Sequence, residues 1–351
     1  MKSGGSQSRG GRRRNDLFLA TAGVLAGLAL AELVVRVTGA APQVGYFRKD
    51  QFQISPNVKI GWEPIPNPAS TGGTLDPRWS AEERNSLGYR DYEHSLEKVP
   101  GVFRILVIGD SIAKGLGIPD PRMAFPMVME KRLKELGTTS EVLNFGVEGY
   151  NTQQEVETLK DRGLSYSPDL VILAYSLNDR TWPAHHLYVE LLKQESASGQ
   201  ASAPRTAPLL RHSALYRFLR YRALSGWLFE SDLTDARIRQ LVDLVQRDTV
   251  EAYFSELADL SRRHGFAVLV AVFPYIDDLT HYKHLEEDRW VQDLSARHGF
   301  KHFDLLNTFI DCARRSGQTI AFDDVHPNNQ GHVCAGRTLA KFVKEEILSN
   351  R

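Results

Sequence analysis

Beyond residue 100 the chain alternates short apolar runs with longer stretches of helical period. The runs are RILVIG from Arg104, EVLNF from Glu141, LVILAY from Leu170, FAVLVAVF from Phe266 and KHFDL from Lys301. Nearly unbroken Val, Ile and Leu predicts strands buried on both faces, as in a parallel sheet. Between and after them the spacing predicts helices over residues 123–136, 152–162, 236–264, 286–298 and 333–348. The first four are followed at once by Gly137, Gly163, Gly265 and Gly299, the residue that most readily takes the left-handed stop. In the third helix Ile238, Leu241, Val242 and Val245 fall on one face suited to a sheet. Five strands separated by helices predict an α/β fold, a three-layer α/β/α sandwich with a five-stranded parallel sheet. No internal repeat is visible.

Two regions depart from this rhythm. Residues 38–100 are rich in Pro, Gly, Asn and Trp without a sustained period and read as a loop-rich N-terminal extension of the main domain, residues 101–351. Residues 180–232 separate the third strand from its helix by far more than the usual connection of about 2 to 6 residues, so they form an insertion. Its middle is linker-like. Its later part, residues 214–229, is aromatic and basic: Leu215, Phe218, Leu219, Tyr221, Leu224 and Leu228 interleave with Arg217, Arg220 and Arg222, with Arg211 just upstream. That pattern fits a lid or a helix resting on an anionic surface, and equally an ordinary amphipathic helix packed on the domain.

At the N-terminus a basic tail, residues 1–16, precedes an apolar span of 21 residues, 17–37. At about 1.5 Å per residue a helix of that length crosses a hydrocarbon core of roughly 30 Å. Glu32 and Arg36 sit four apart, where they can pair at the far interface. Lys2, Arg9 and Arg12 to Arg14 precede the span, so the positive-inside rule keeps the N-terminus cytoplasmic and puts the rest outside. The alternatives are a cleaved signal peptide, with Thr38-Gly39-Ala40 as its cleavage site, and a buried core helix.

Composition narrows the classes of function. With 43 basic and 43 acidic residues among 351, the formal net charge is +0, which removes the electrostatic footprint of a nucleic-acid binder. Cys312 and Cys334 are the two cysteines, too few for a disulfide framework or a Cys-rich zinc site. They read as small buried thiols, with a single disulfide left open.

In an open parallel sheet, ligands bind beyond the carboxyl ends of the strands, so the residues that follow each run are the ones to inspect. The first run ends in Gly109-Asp110-Ser111, the second in Asn144-Phe145-Gly146 with Gly149 beyond it, and the third in Ser176-Leu177-Asn178-Asp179. Asp323-Asp324-Val325-His326 precedes the last helix. Ser111 at a strand-to-helix turn suits a nucleophile whose own N–H lies at the positive helix end. His326 can act as its base and Asp323 can fix the imidazole tautomer. The Gly149 N–H and the Asn178 amide sit where an oxyanion would need donors. Asp110 and Asp179 read as braces of their loops. Asp324 and His332 are the neighbouring rivals for the acid and the base. His281 and His284 have metal-like spacing without supporting carboxylates or thiolates and read as solvated surface. Such chemistry needs no cofactor and no metal.

These blocks resemble the SGNH hydrolases, the GDSL family of esterases and lipases, over roughly residues 103–348. The resemblance implies the flavodoxin-like SGNH fold, Ser111 as nucleophile, Asp323 and His326 as its partners, and an oxyanion hole formed by Ser111, Gly149 and Asn178. Two positions depart from the pattern: Ser176 stands where the third block usually begins with glycine, and Ile112 where the first continues with leucine. The lead-in Asn85 to Asp91, the Gly149 to Thr152 turn and the apolar N-terminal span are similar to those of bacterial cell-envelope members. The implied function is an extracytoplasmic serine esterase acting on an acylated glycan or a lipid ester. An acyltransferase with a sugar hydroxyl as acceptor, and a non-catalytic binding or assembly module, are the alternatives.

Overall fold

A computed structural model describes residues 9–38, 51–67, 79, 83–180, 213–219 and 249–349. In chain order, the elements are α1 (Arg9–Val37), β1 (Phe52–Ile54), β2 (Trp62–Pro64), β3 (Phe103–Gly109), α2 (Ser111–Lys114), α3 (Phe125–Glu135), β4 (Ser140–Gly146) and α4 (Thr152–Asp161). There follow β5 (Leu170–Ser176), α5 (Ala214–Phe218), α6 (Thr249–His264), β6 (Ala267–Phe273), α7 (Leu285–Arg297), β7 (Lys301–Asp304), α8 (Leu306–Ser316) and α9 (Asn329–Phe342). The described residues fall into two compact units, one within residues 1–46 and 197–234, the other within 47–196 and 235–351.

The larger unit is built on the parallel sheet β4-β3-β5-β6-β7, all five strands lying where the apolar runs place them. This is the flavodoxin-like order, and its direction reverses between β3 and β5. Alternation along the strands sorts side chains to two faces. Ile105, Val107, Val142, Ile172, Leu269 and Ala271 join Phe125, Met129 and Leu133 of α3, Phe309 of α8 and Leu339 of α9 in one core. The opposite face carries α4, α6 and α7, which bury Val156, Leu159, Phe254, Leu257, Val291 and Leu294. Three layers follow from a sheet that is apolar on both sides.

Some boundaries differ from the periodic reading. The last helix starts at Asn329 because Asn328 caps it, its side chain accepting the N–H groups of Gln330 and Gly331. Helix α8 escapes the pattern because it begins immediately after β7. The segment read as loop contains the antiparallel pair β1 and β2. Residues 236–248, with Ile238, Leu241, Val242 and Val245, lie outside the described residues, as does the insertion apart from Arg180 and residues 213–219. Cys312 of α8 and Cys334 of α9 form a disulfide, with Cα atoms 6.4 Å apart, which corrects the reading of two free thiols. The cause is tertiary: α8 packs against α9 and brings the two side chains together.

In the smaller unit, α1 carries a 20-residue stretch, Phe18–Val37, of mean hydropathy 2.1. Most of its apolar side chains, Leu19, Val24, Leu25 and Leu30 among them, are exposed, while Val35 is buried. Glu32 accepts from Arg36 Nε at 2.7 Å. The same carboxylate accepts from Ser213 Oγ at 2.8 Å and from the N–H groups of Ala214 and Leu215 at 2.8 and 2.7 Å. An acidic residue in an apolar helix is costly unless paired, and here the first turn of α5 supplies the partners. That part of the insertion thus packs on α1.

The lead-in to the sheet is held by buried polar contacts. Arg104, 1 % exposed on β3, donates to Glu141 Oε1 at 2.6 Å and to the carbonyls of Ser95, Leu96 and Tyr166. Asp91 Oδ2 accepts from the Asn144 N–H at 2.8 Å and contacts His94 Nε2 at 3.1 Å. Burial alone would push the His94 imidazole down, but the Asp91 carboxylate, helped by Glu141, holds its pKa up at about 9. An unfolded histidine titrates near about 6.5. The pair therefore contributes fully below that value, and its contribution fades as pH rises toward 9. Urea unfolding at pH 6 and pH 9.5 should show a loss of about 2 to 3 kcal/mol in the wild type, with the slope flattened in His94→Gln. An unchanged slope in the variant would remove His94 as its source.

Candidate active site

The carboxyl ends of β3, β4 and β5 meet at the point where the strand order reverses, and the conspicuous residues of the sequence gather there. Gly109 closes β3, and Asp110 caps α2 by accepting the Ile112 N–H at 2.8 Å. Ser111 is the first residue of α2, so its N–H has no partner within that helix. Its side chain stands at the end of a buried strand and the residue is 9 % exposed.

His326 arrives from the loop before α9. An isolated bridge between Ala321 and Pro327 pins that loop, with the Phe322 N–H donating to the His326 carbonyl at 2.8 Å. His326 Nε2 lies 2.8 Å from Ser111 Oγ. Its Nδ1 lies 2.9 Å from each carboxylate oxygen of Asp323. Asp323 Oδ1 also accepts the N–H groups of Val325 and His326, both at 2.8 Å. With Asp323 as acceptor, Nδ1 bears the hydrogen, Nε2 presents its lone pair, and the Ser111 hydroxyl donates to it. Burial pushes the Asp323 carboxyl up, but the His326 ring and the two loop N–H groups outweigh it and hold the carboxyl below its ordinary value.

The rival residues take other positions. The Asp324 carbonyl accepts the Ile276 N–H at 2.7 Å and ties the loop to the end of β6. His332 is fully buried in α9, its Nδ1 accepting the Phe125 N–H at 3.1 Å, and burial pushes its pKa down to about 3. His281 is exposed and contacts Asp278 at 3.2 Å, while His284 packs edge-on to Tyr275 and Tyr282.

The proposed oxyanion donors sit on the neighbouring turns. Gly149 has φ +74°, a conformation costly for any residue with a Cβ. Its turn is buttressed from the N-terminal extension. Trp62 of β2 donates through Nε1 to the Glu148 carbonyl at 3.2 Å, and the Tyr150 hydroxyl donates back to the Trp62 carbonyl. Asn178 follows β5, and its Nδ2 donates to the Tyr150 carbonyl at 3.3 Å. Asp179 accepts the Ser176 N–H at 2.6 Å and the Thr152 hydroxyl at 3.0 Å, joining the turns after β4 and β5.

Three contributors carry no motif that sequence reasoning could assign. Arg90 reaches the far end of α2, donating to the carbonyls of Gly115 and Ile118 and, at 3.0 Å, Pro119. Lys114, the last residue of α2, donates to Glu148 at 2.8 Å. Trp62 lies in the segment read as loop. The available signal was the Asn85 to Asp91 lead-in, which includes Arg90.

Residues 107–333, well over half of the chain, match the family model described as GDSL-like Lipase/Acylhydrolase. The chain belongs to that family. This GDSL-like protein is an ester-hydrolysing enzyme, and the matched region contains Ser111, Gly149, Asn178, Asp323 and His326. Solved structures similar to it include an acetyl xylan esterase, AlAXEase (16% identity, 70% of this chain, 99% of that one, TM-score 0.42). Others are a mutant of Axe2, an acetyl-xylooligosaccharide esterase from Geobacillus (14%, 70% and 95%, TM-score 0.44), and the esterase EstA from Pseudoalteromonas sp. (11%, 71% and 100%, TM-score 0.43). No curated protein sequence matches the chain.

Proposed function

We propose that this GDSL-like hydrolase is an extracytoplasmic serine esterase that removes an O-acyl group, an acetyl ester of an envelope glycan or a lipid ester, through a Ser111 acyl-enzyme. The observation that carries the reading is the unbroken hydrogen-bond chain from Ser111 Oγ through His326 to Asp323. Ser111 Oγ attacks the ester carbonyl carbon while its proton passes to His326 Nε2, and the ionised Asp323 stabilises the imidazolium that results. The carbonyl oxygen becomes an oxyanion facing the Ser111 and Gly149 N–H groups and the Asn178 amide. The tetrahedral carbon expels the alcohol oxygen, which takes the proton from Nε2, and leaves an acyl-Ser111 ester. Water then attacks that ester, gives its proton to Nε2 and, through a second tetrahedral species, releases the carboxylic acid and re-protonated Ser111.

Two features support the location. Phe18–Val37 is long and apolar enough to cross a membrane and follows the basic Arg12 to Arg14, and disulfides such as Cys312–Cys334 persist in oxidising compartments. In this reading residues 17–37 anchor the chain, Trp62 and Arg90 of the N-terminal extension buttress the site, and residues 101–351, with the insertion 180–232 set apart, form the catalytic domain.

Ser111→Ala should lose at least about a thousandfold in kcat on an acetyl ester while remaining folded. Asn178→Ala should lose about 100- to 1,000-fold in kcat with KM nearly unchanged. A kcat unaffected by Ser111→Ala would overturn the mechanism, an Asn178 effect confined to KM would move that residue to ground-state binding, and acyl transfer to a glycan faster than to water would make the enzyme a transferase. For the anchor, full-length protein should pellet with membranes in carbonate, and a reporter active only outside the cytoplasm should give signal when fused to Arg351. Release into the carbonate supernatant with a new N-terminus near Ala41 would show a cleaved signal instead.

A further inference from the structure

Ser176 ends β5, is fully buried, and occupies the position where the family pattern has glycine. Its hydroxyl lies between two groups of the site: Asp110 Oδ2 at 3.1 Å, from the residue preceding the nucleophile, and Asn178 Oδ1, to which it donates. The side-chain amide of Asn178 can be placed in two ways that differ by a half-turn. The Tyr150 carbonyl chooses between them, because an acceptor there requires Nδ2 on that side, at 3.3 Å. Oδ1 then faces Ser176, and only a hydroxyl that donates can satisfy it. The Ser176 hydroxyl is thus the donor that faces Asn178 Oδ1, and its oxygen also contacts Asp110. Burial pushes the Asp110 carboxyl up, against the Ile112 N–H, the His326 ring and the Asn178 and Ser176 side chains, which act to lower it.

We propose that Ser176 is a positioning residue for the oxyanion hole: its hydroxyl holds Asn178 Oδ1 inward, so that Nδ2 is turned toward the Gly149–Tyr150 loop before substrate arrives. The inference rests on the reading of Asn178 as an oxyanion donor. A glycine at this position leaves Asn178 to be oriented by other contacts. In this chain the hydroxyl adds a second contact to the amide orientation that the Tyr150 carbonyl selects, and links it to Asp110, which caps the nucleophile's helix. Ser176 touches no reacting atom, so its influence passes entirely through Asn178.

The test is a double-mutant cycle on hydrolysis of a small acetyl ester by the full-length protein, with thermal unfolding recorded for each variant. Ser176→Ala and Ser176→Gly should each lower kcat about tenfold with KM within twofold of wild type. In the Asn178→Ala background, Ser176→Ala should have no further effect on kcat, since the group it positions is gone. The proposal is overturned if both single Ser176 variants keep kcat within twofold of wild type, or if the Ser176 and Asn178 effects multiply in the double variant. Should Ser176→Ala fail to fold, Ser176→Gly carries the cycle with the same criteria. If Asn178→Ala leaves kcat unchanged, the oxyanion reading fails and this inference falls with it; if Asn178→Ala is slow and Ser176 is silent, only this inference falls.

Discussion

The site depends on how closely a four-residue helix approaches the ends of two strands. A Cβ on Gly146 would lie 2.3 Å from the Lys114 nitrogen, and one on Gly109 would lie 2.7 Å from Ala113 Cβ and 2.9 Å from Ala174 Cβ. Side chains at either position would force α2 away from the sheet, and Ser111 with it. So short a helix has no stability of its own. It is held by the Asp110 cap, by Asn144 Nδ2 on the Ala113 carbonyl at 2.9 Å, and by Arg90 at its far end. The reversal of strand order supplies the crevice, and this close packing decides which residue stands in it.

Around that point the carboxyl groups fall into two kinds. Asp323 is half-buried and receives hydrogen bonds from the ring and the loop N–H groups, so it stays ionised beside His326. Asp179 and Glu155 are buried beneath the turns and pushed far up, first by burial and then by the acidic groups beside them. Asp110 is pushed up by the same burial. A negative charge is therefore favoured where an imidazolium would form and disfavoured behind the proposed oxyanion donors, where it would oppose a developing O⁻. The same residue type serves opposite needs through its count of donors and its depth.

Much of this was legible in the sequence because strand and stop signals are local. The apolar runs fixed all five strands to within a residue or two, and the residues just beyond them, Ser111, Gly149 and Asn178, converge because a parallel sheet brings its carboxyl ends to one edge. His326 was legible from its place before the last helix, although only the Ala321–Pro327 bridge shows how it reaches the serine. What escaped is tertiary in origin. Trp62 and Arg90 matter through carbonyls more than twenty residues away in sequence, which no periodicity announces. Cys312 and Cys334 meet because two helices pack, a distance that spacing cannot supply. Ser176 was visible only as a departure from the family pattern, and its partners on both sides emerged with the geometry.

The Glu32 carboxylate gives the smaller unit the same logic at another scale: a charge placed in an apolar helix is matched by Arg36 and by the first turn of α5. For the enzyme itself, the central claim is that Ser111 is the nucleophile. The most direct measurement is peptide mapping by mass spectrometry after inactivation with a fluorophosphonate. The account predicts one covalent adduct, on the peptide carrying Ser111, formed in step with loss of activity and absent from His326→Ala on the same timescale. Inactivation with the adduct on another residue, or full activity in protein fully labelled at Ser111, would contradict it.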